Sequence, residues 1–219
     1  MKILYDDKDI TVCIKDPDLL SEKSENGADI LTKLEEHFGG EFTFFPLHRL
    51  DFGVGGTMVF AKNKKAAAKM SEMVANREMS KEYLAVVTGV PEESTGIYRD
   101  LLFKDSKKNK SFVVDRKRAG VKEASLEYEV TQSREINGEV FSLVKIKLHT
   151  GRSHQIRVQF SSRKMPLYGD RKYGAKTGSD IALWSYRLTF NHPSSGETVK
   201  FSKLPTGGIW DEFGFSAIM

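Results

Sequence analysis

The segment His48-Arg49-Leu50-Asp51-Phe52-Gly53-Val54-Gly55-Gly56 sets one carboxylate beside an arginine and a histidine, then runs into a turn with three glycines. Glycine lacks a Cβ, so the backbone there can bend sharply or lie close against a ligand. An aspartate on such a turn is well placed to act as a nucleophile or a base. Apolar residues resume at once, and residues 58–61 read as a strand leaving the turn. Asn63 then stands where it can cap a helix over 64–77, with Ala66, Met70, Met73 and Val74 on the inward face.

Patterning on either side has the same mixed character. Residues 3–5 and 10–14 read as two short strands around an acidic turn, and 28–38 as a helix with Ile30, Leu31, Leu34 and Phe38 on one face. Downstream, strand signals dominate. Residues 83–88 are apolar and β-rich, Leu126, Tyr128 and Val130 alternate with Glu127 and Glu129, and Val144, Ile146 and Leu148 alternate with Lys145 and Lys147. Thr150-Gly151-Arg152-Ser153 breaks the last of these, and a short helix over 154–161 follows, with Ile156 and Phe160 one turn apart. Ala182, Trp184, Tyr186, Leu188 and Phe190 share a strand face, and a turn over 191–196 lets 198–202 pair back as a hairpin. Many strands and few helices in no regular alternation predict an α+β fold with a central mixed, mostly antiparallel sheet flanked by helices and loops.

Bulk composition narrows the setting. The 219 residues suffice for a buried core, in one large domain or two small lobes. Cys13 has no internal partner for a disulfide and alternates with Val12 and Ile14, which predicts a buried strand thiol in a reducing compartment. The first seven residues include Asp6 and Asp7 and lack a hydrophobic core region, unlike a secretory leader. The uncharged run over 52–61 is far short of the ~20 residues a membrane helix needs. These features predict a cytoplasmic protein with no membrane association. The formal net charge is +4, yet the 104–122 segment alone carries +6: Lys104, Lys107, Lys108, Lys110, Arg116, Lys117, Arg118 and Lys122 against Asp105 and Asp115. A patch that concentrated suits a polyanion, because each phosphate contact releases counterions.

Five segments, in order, resemble the RluA-type RNA pseudouridine synthases. They are His48-Arg49-Leu50-Asp51 with Gly56; Lys81-x-Tyr83-x-Ala85; Thr150-Gly151-Arg152-Ser153-His154-Gln155-Ile156-Arg157-Val158; Pro166-Leu167-Tyr168-Gly169-Asp170-x-x-Tyr173-Gly174; and Leu188-x-Phe190-x-His192-Pro193. An ordered set of this length is far more specific than any one of them. The resemblance implies a single catalytic domain over 1–219, with the active site in a central cleft and no separate N-terminal RNA-binding domain. It implies that uridine in rRNA or tRNA is isomerised to pseudouridine: the base is cut from ribose at N1, turned and rejoined through C5. A stacked base is out of reach of protein groups, so it must be flipped.

By the same resemblance Asp51 is the catalytic nucleophile. Three routes are open to it: attack on the base, attack on the sugar, or removal of a sugar proton. A closed pocket drives a carboxylate toward its neutral form and a paired cation opposes that; the resemblance assigns the cation to Arg157, an always-charged bidentate partner. Tyr83 is the active-site tyrosine, whose ring can stack on uracil and whose hydroxyl can help move the C5 proton. Arg49 is expected to contact RNA or to fill the space of the flipped base, and Arg152 and Gln155 to shape the site or touch phosphate. With target selection left to the catalytic domain, Lys107, Lys108, Lys110, Arg116, Lys117 and Arg118 become candidate RNA contacts on a basic insertion. His48 and His154 lack companions at metal-ligand spacing and are expected to be structural. No metal, no organic cofactor and no obligate protein partner is expected, and the chain is expected to be a monomer.

Three departures from the family pattern stand out. Gly55 replaces the serine usual before the last glycine of the first motif, Lys15-Asp16-Pro17-Asp18 replaces Lys-Pro-x-Gly, and Trp184-Ser185 replaces His-Ala. None touches the proposed catalytic residues. A non-catalytic RNA-binding or RNA-folding protein on the same scaffold is the alternative, though loss of Asp51 or Arg157 would suit it better. An unrelated carboxylate hydrolase would need a second acid, about 5–10 Å away in glycosidases, and no such residue stands out.

Overall fold

The computed structural model describes residues 1–216 and 218. In chain order its elements are β1 (Lys2–Asp6), β2 (Ile10–Lys15), α1 (Ile30–His37), β3 (Phe45–Pro46), β4 (Gly55–Ala61) and α2 (Lys64–Ala75), then β5 (Ser80–Thr88), β6 (Thr95–Asp105), β7 (Lys110–Val114), β8 (Val121–Ile136), β9 (Glu139–Leu148) and α3 (Gln155–Ser161), and last β10 (Leu183–Asn191) and β11 (Thr198–Ser202). The fold is α+β, as the patterning predicts. The chain forms two compact units, Met1–Lys81 with Trp184–Pro205, and Glu82–Leu183 with the C-terminal stretch from Thr206.

In the first unit β2 lies between β1 and β4, antiparallel to both, with Ile10 opposite Ala61 and Lys15 opposite Gly56. Beyond β4 comes β10 in parallel, with Trp184 opposite Gly55 and Ser185 opposite Gly56, and β11 returns antiparallel along β10. Every residue of β2 and β4 is buried. That fits strands covered on both faces, whose sequences read as near-continuous apolar runs and not as alternations. Ile10, Val12, Val59, Met70, Leu188 and Phe190 build the core, so the methionine stripe of α2 is packing. Cys13 is buried with them, and burial pushes its thiol up to about 12.

Both helices of this unit start at the residues that can cap them. Asn63 accepts from the Ala66 N–H at 2.9 Å, and α2 stops at Ala75, two residues before the predicted end, as Arg77 turns left-handed (φ 63°). Asp29 caps α1: its carboxylate accepts from the Thr32 N–H and hydroxyl at 2.8 and 3.0 Å and from the Ser24 N–H and hydroxyl at 2.9 and 3.1 Å. Burial alone would raise the Asp29 pKa, but these bonds outweigh it and hold the group below its usual value. A depressed folded-state pKa contributes stability above the unfolded-state value and loses it as pH falls. Asp29→Ala should therefore cost about 2 kcal/mol at pH 7, and the gap to wild type in urea melts should narrow below roughly pH 4.

In the second unit all pairings are antiparallel, in the order β5, β9, β8, β6, β7. Asn137-Gly138, both at positive φ, closes the β8–β9 hairpin with the turn whose twist suits it. The basic 104–122 segment is pleated over much of its length: it spans the end of β6, all of β7 and the start of β8. The helix α3 packs on one face of these strands through Val158, which joins Leu102, Ala124 and Tyr173 in a small core. It begins at Gln155 because His154 adopts a left-handed conformation at its boundary.

Candidate active site

The first unit holds Asp51 on a loop tied down from two sides. Ser21 grips the preceding residue: its hydroxyl donates to the Leu50 carbonyl at 2.8 Å and accepts from the Leu50 N–H at 3.0 Å. The Gly53 N–H donates to the Pro17 carbonyl at 2.8 Å, and the Val54 N–H closes the turn on the Asp51 carbonyl at 3.1 Å. Gly53 and Gly56 sit at φ 86° and 126°, and a Cβ on Gly56 would lie 2.4 Å from the Ser185 carbonyl oxygen. These two glycines are therefore required by the backbone path.

Charged neighbours of this loop are unusual. Lys15 is fully buried, with its ammonium donating to the Asp16 and Leu19 carbonyls at 2.9 and 2.6 Å. Burial lowers its pKa to about 8, against the opposing fields of Asp18, Asp16 and Asp51. Lys15, in the segment that departs from the family pattern, therefore lies within electrostatic reach of Asp51 in the same unit. Burial likewise lowers Lys81 to about 8. His48 is buried, and desolvation with the charge of Lys81 takes its pKa well below the usual value. Its neutral ring meets the Val59 N–H through Nε2 at 3.4 Å, the structural role expected of it. Arg49 points to solvent and pairs with Glu22 at 2.6 Å.

Gly55 and Trp184 explain each other. They are direct partners across β4 and β10, and a Cβ on Gly55 would lie 2.4 Å from Trp184 Cζ3 and 3.1 Å from the Lys15 carbonyl oxygen. The indole is pinned by its N–H on the Lys203 carbonyl at 2.8 Å. The large ring thus occupies the room that the missing side chain leaves, and two departures reduce to one exchange of volume. Gly55→Ser should cost about 1–3 kcal/mol by overpacking. Combined with Trp184→His it should cost at least about 1 kcal/mol less than the two separate losses added together. Urea melts of the four proteins measure that coupling, and simple additivity would refute the exchange.

The second unit holds Tyr83 and Arg157. Tyr83 lies on β5 opposite Ile146 and is 6% exposed. Arg157, on α3, is 5% exposed and is met by Asp170, fully buried, through Nε–Oδ2 at 2.7 Å and Nη2–Oδ1 at 2.9 Å. Its guanidinium also lies over the Tyr173 ring, 5.1 Å from the centroid. Asp170 stands within one of the five motifs, yet the sequence gives it no role; an acid thirteen positions downstream of an arginine carries no spacing signal. Gln155 is buried and organises the turn before α3. Its carbonyl oxygen accepts from the Thr150 hydroxyl at 2.7 Å and the Arg152 N–H at 3.0 Å, and its amide donates to the Ser125 carbonyl at 3.1 Å. Arg152 donates to the Glu123 carbonyl at 3.0 Å. His154 is 2.9 Å from the Tyr173 hydroxyl through Nδ1.

The candidate RNA contacts divide by exposure. Lys107, Lys108, Arg116, Lys117 and Arg118 are exposed, whereas Lys110 is half-buried, with its ammonium on the Lys172 carbonyl at 2.6 Å and 4.9 Å from the Tyr173 ring centroid. Lys117 pairs with Glu123 at 2.5 Å on the surface.

One cluster with metal-ligand chemistry exists among the described residues: Asp7, Asp9 and His192 bring their ligand atoms within 4.8 Å of one another. Asp7 Oδ1, the Asp9 carboxylate and His192 Nδ1 are engaged within the protein. Asp7 Oδ1 accepts from the Asp9 and Ile10 N–H groups at 2.8 Å, and His192 Nδ1 accepts from the Ser194 and Ser195 N–H groups at 3.3 Å. With Nδ1 accepting, the neutral ring carries its proton on Nε2, the atom 2.9 Å from Asp7 Oδ2. The cluster reads as a latch between two turns. Among the described residues no helix is long and apolar enough to cross a membrane.

The first unit thus carries a carboxylate on a tied loop, and the second carries a buried arginine on α3 and a basic pleated edge. Comparison with known proteins supplies the class. A family model described as RNA pseudouridylate synthase matches residues 9–162. A protein of Aquifex aeolicus described as an uncharacterized RNA pseudouridine synthase is 34% identical over 92% of this chain and 68% of its own length. The dual-specificity RNA pseudouridine synthase RluA of Escherichia coli is 31% identical over 91% of this chain and 90% of its own. The solved structure of human RNA pseudouridylate synthase domain containing 1 superposes with a TM-score of 0.79 at 25% identity, over 93% of this chain and 83% of that one. The chain belongs to the RNA pseudouridine synthase family, in its RluA-type group, and is an isomerase that acts on RNA.

Proposed function

We propose that this chain converts specific uridines of structured rRNA or tRNA to pseudouridine, with the target base flipped from its stack and Asp51 as the catalytic carboxylate. The observation that carries the reading is the double anchoring of the Asp51 loop, by Ser21 on Leu50 and by Pro17 on Gly53. A reacting carboxylate must be held in place if a single flipped base is to meet it in a productive pose. Tyr83 then stacks on the base, and Arg157, already oriented by Asp170, stabilises the charged form of Asp51. In this reading the whole chain is one catalytic domain with its site in a central cleft. It works as a cytoplasmic monomer without metal or organic cofactor, and Arg49 exchanges Glu22 for RNA when substrate arrives.

The dual-specificity relative gives a reason to look at both RNA classes. The test is a pseudouridine map of cellular rRNA and tRNA with and without the gene, repeated with purified protein on RNA lacking the modification. The expected result is one or a few positions that depend on the gene and are restored in vitro. Binding without any new pseudouridine would favour the RNA-folding alternative.

A further inference from the structure

Register separates the two faces of β6, β7 and β8. On one face Leu102, Ser111 and Ala124 are 2–3% exposed and pack toward α3. On the other, Phe103 lies directly opposite Phe112 on β7 and Val121 on β8, and Leu101 lies opposite Val114. This second face is apolar yet partly open to solvent, and Phe112 is 37% exposed. Apolar residues so placed mark an interaction surface more often than a defect.

The charge around the pair identifies the partner. Phe103 lies beneath the Arg118 guanidinium, 5.1 Å from ring centroid to cation, and the Lys110 ammonium is 5.8 Å from the Phe112 centroid. Lys107 and Lys108, between β6 and β7, and Arg116 and Lys117, between β7 and β8, are exposed, Lys117 being paired with Glu123. A protein partner with an apolar patch would not call for six cations. A lipid surface or a plain polyanion would not call for aromatic rings interleaved with the cations. Rings and guanidinium planes interleaved with cations are the means by which proteins hold unpaired nucleotides, with bases on the rings and phosphates on the cations.

We propose that this face is a stacking platform for unpaired RNA: Phe103 with Arg118, and Phe112 beside it, take bases flanking the target, while the lysines of the neighbouring turns hold the phosphates. The proposal rests on the RNA isomerase reading and deepens it by giving substrate selection a chemistry, which is single-stranded or loop RNA in preference to duplex. The platform also connects to the Arg157 helix. Ser111, beside Phe112, donates its hydroxyl to the Ser153 carbonyl at 2.6 Å and its N–H to the Tyr173 hydroxyl at 2.8 Å. RNA seated on β7 is thereby read one hydrogen bond from the turn that leads into α3.

The test uses the full chain and a fluorescein-labelled twelve-nucleotide oligouridylate, with the same strand annealed to its complement and heparin as competitors. Phe112→Ala should weaken oligouridylate binding about tenfold and leave the salt slope unchanged. Phe112→Leu, which keeps apolar bulk without a ring, should weaken it nearly as much. Lys107→Gln with Lys108→Gln should instead reduce the slope of log K on log salt, by roughly 0.7 for each phosphate no longer neutralised. Wild-type affinity in both Phe112 variants, or an intrinsic heparin affinity that falls as much as the oligouridylate affinity in Phe112→Ala, overturns the platform. So does a sedimentation shift from dimer to monomer in Phe112→Ala, which would make the face a self-association surface. Pseudouridine assays separate the two failures. An active protein whose oligouridylate binding ignores Phe112 loses only the platform; an inactive one whose binding depends on Phe112 loses only the isomerase assignment.

Discussion

Asp51→Asn is expected to reduce pseudouridine formation by about 10³-fold or more while leaving RNA affinity and thermal stability close to wild type. Asparagine keeps the size of the side chain and one acceptor oxygen but loses the charge and the nucleophilic carboxylate. The loop is also held by contacts that do not involve that charge. Leu50 is held by Ser21, Gly53 by the Pro17 carbonyl, and the turn is closed by the Asp51 backbone carbonyl. Asp51→Glu provides the sharper comparison. It retains the charge but moves it by one methylene, and a displacement of that order costs about 10²-fold when geometry is critical. Turnover on RNA that lacks the modification measures both, with melting curves as the control. An Asn variant that still turns over at wild-type rate would remove Asp51 from the mechanism, whichever of its three routes is followed.

Legibility in the sequence followed the physics of each element. Helices α1 and α2 could be placed within two residues or so because a 3.6-residue stripe marks both and an Asx cap at Asn63 marks the start of α2. Strands β8 and β9 were legible because one face is buried and the other wet, which enforces alternation at Leu126 and Tyr128 and again at Val144 and Ile146. The same rule explains what the pattern hid. On β6 and β7 the outer face is apolar as well, so Phe103 and Phe112 blur the alternation, and the cations around them read as an irregular basic segment. Strand β4 begins at Gly55, three residues before its apolar run, because its first two positions need glycine beside β10. The division into two units was beyond reach, since Trp184–Pro205 returns to pack with the N-terminal segment and no local signal announces a contact of that separation. The candidate site divides similarly. Asp51, Tyr83 and Arg157 stood in motifs with roles attached, whereas Asp170 stood in a motif without one, and Ser21 and Lys15 lie about 30 or more positions from the loop they adjoin. The volume exchange between Gly55 and Trp184 was visible only as two separate departures.

Asp170→Ala is expected to cost about 3–5 kcal/mol of stability, the range seen when one partner of a buried ion pair is removed. For a chain of this size that lowers the melting midpoint by roughly 6–20 °C. Asp170 is fully buried and Arg157 5% exposed, so water cannot replace the carboxylate that meets the Nε and Nη2 edge of the guanidinium at 2.7 and 2.9 Å. Asp170→Asn should also be damaging, because its amide keeps one acceptor oxygen but sets donor hydrogens in place of the other, against an arginine that has only donors. A second substitution separates structure from catalysis. Arg157→Met fills similar volume without charge, and buried ion pairs replaced wholly by apolar groups are often as stable as before. The Asp170→Ala, Arg157→Met double variant should therefore recover much of the lost stability. It should recover no pseudouridine formation, because the guanidinium assigned to Asp51 is gone. Equal stability losses in the single and double variants would mean that the loss comes from packing around the Asp170 side chain and not from the uncompensated Arg157 charge. Recovery of turnover together with stability would remove Arg157 from the chemistry. The pair is the point at which fold and function are hardest to tell apart in this molecule, and the double variant is built to part them.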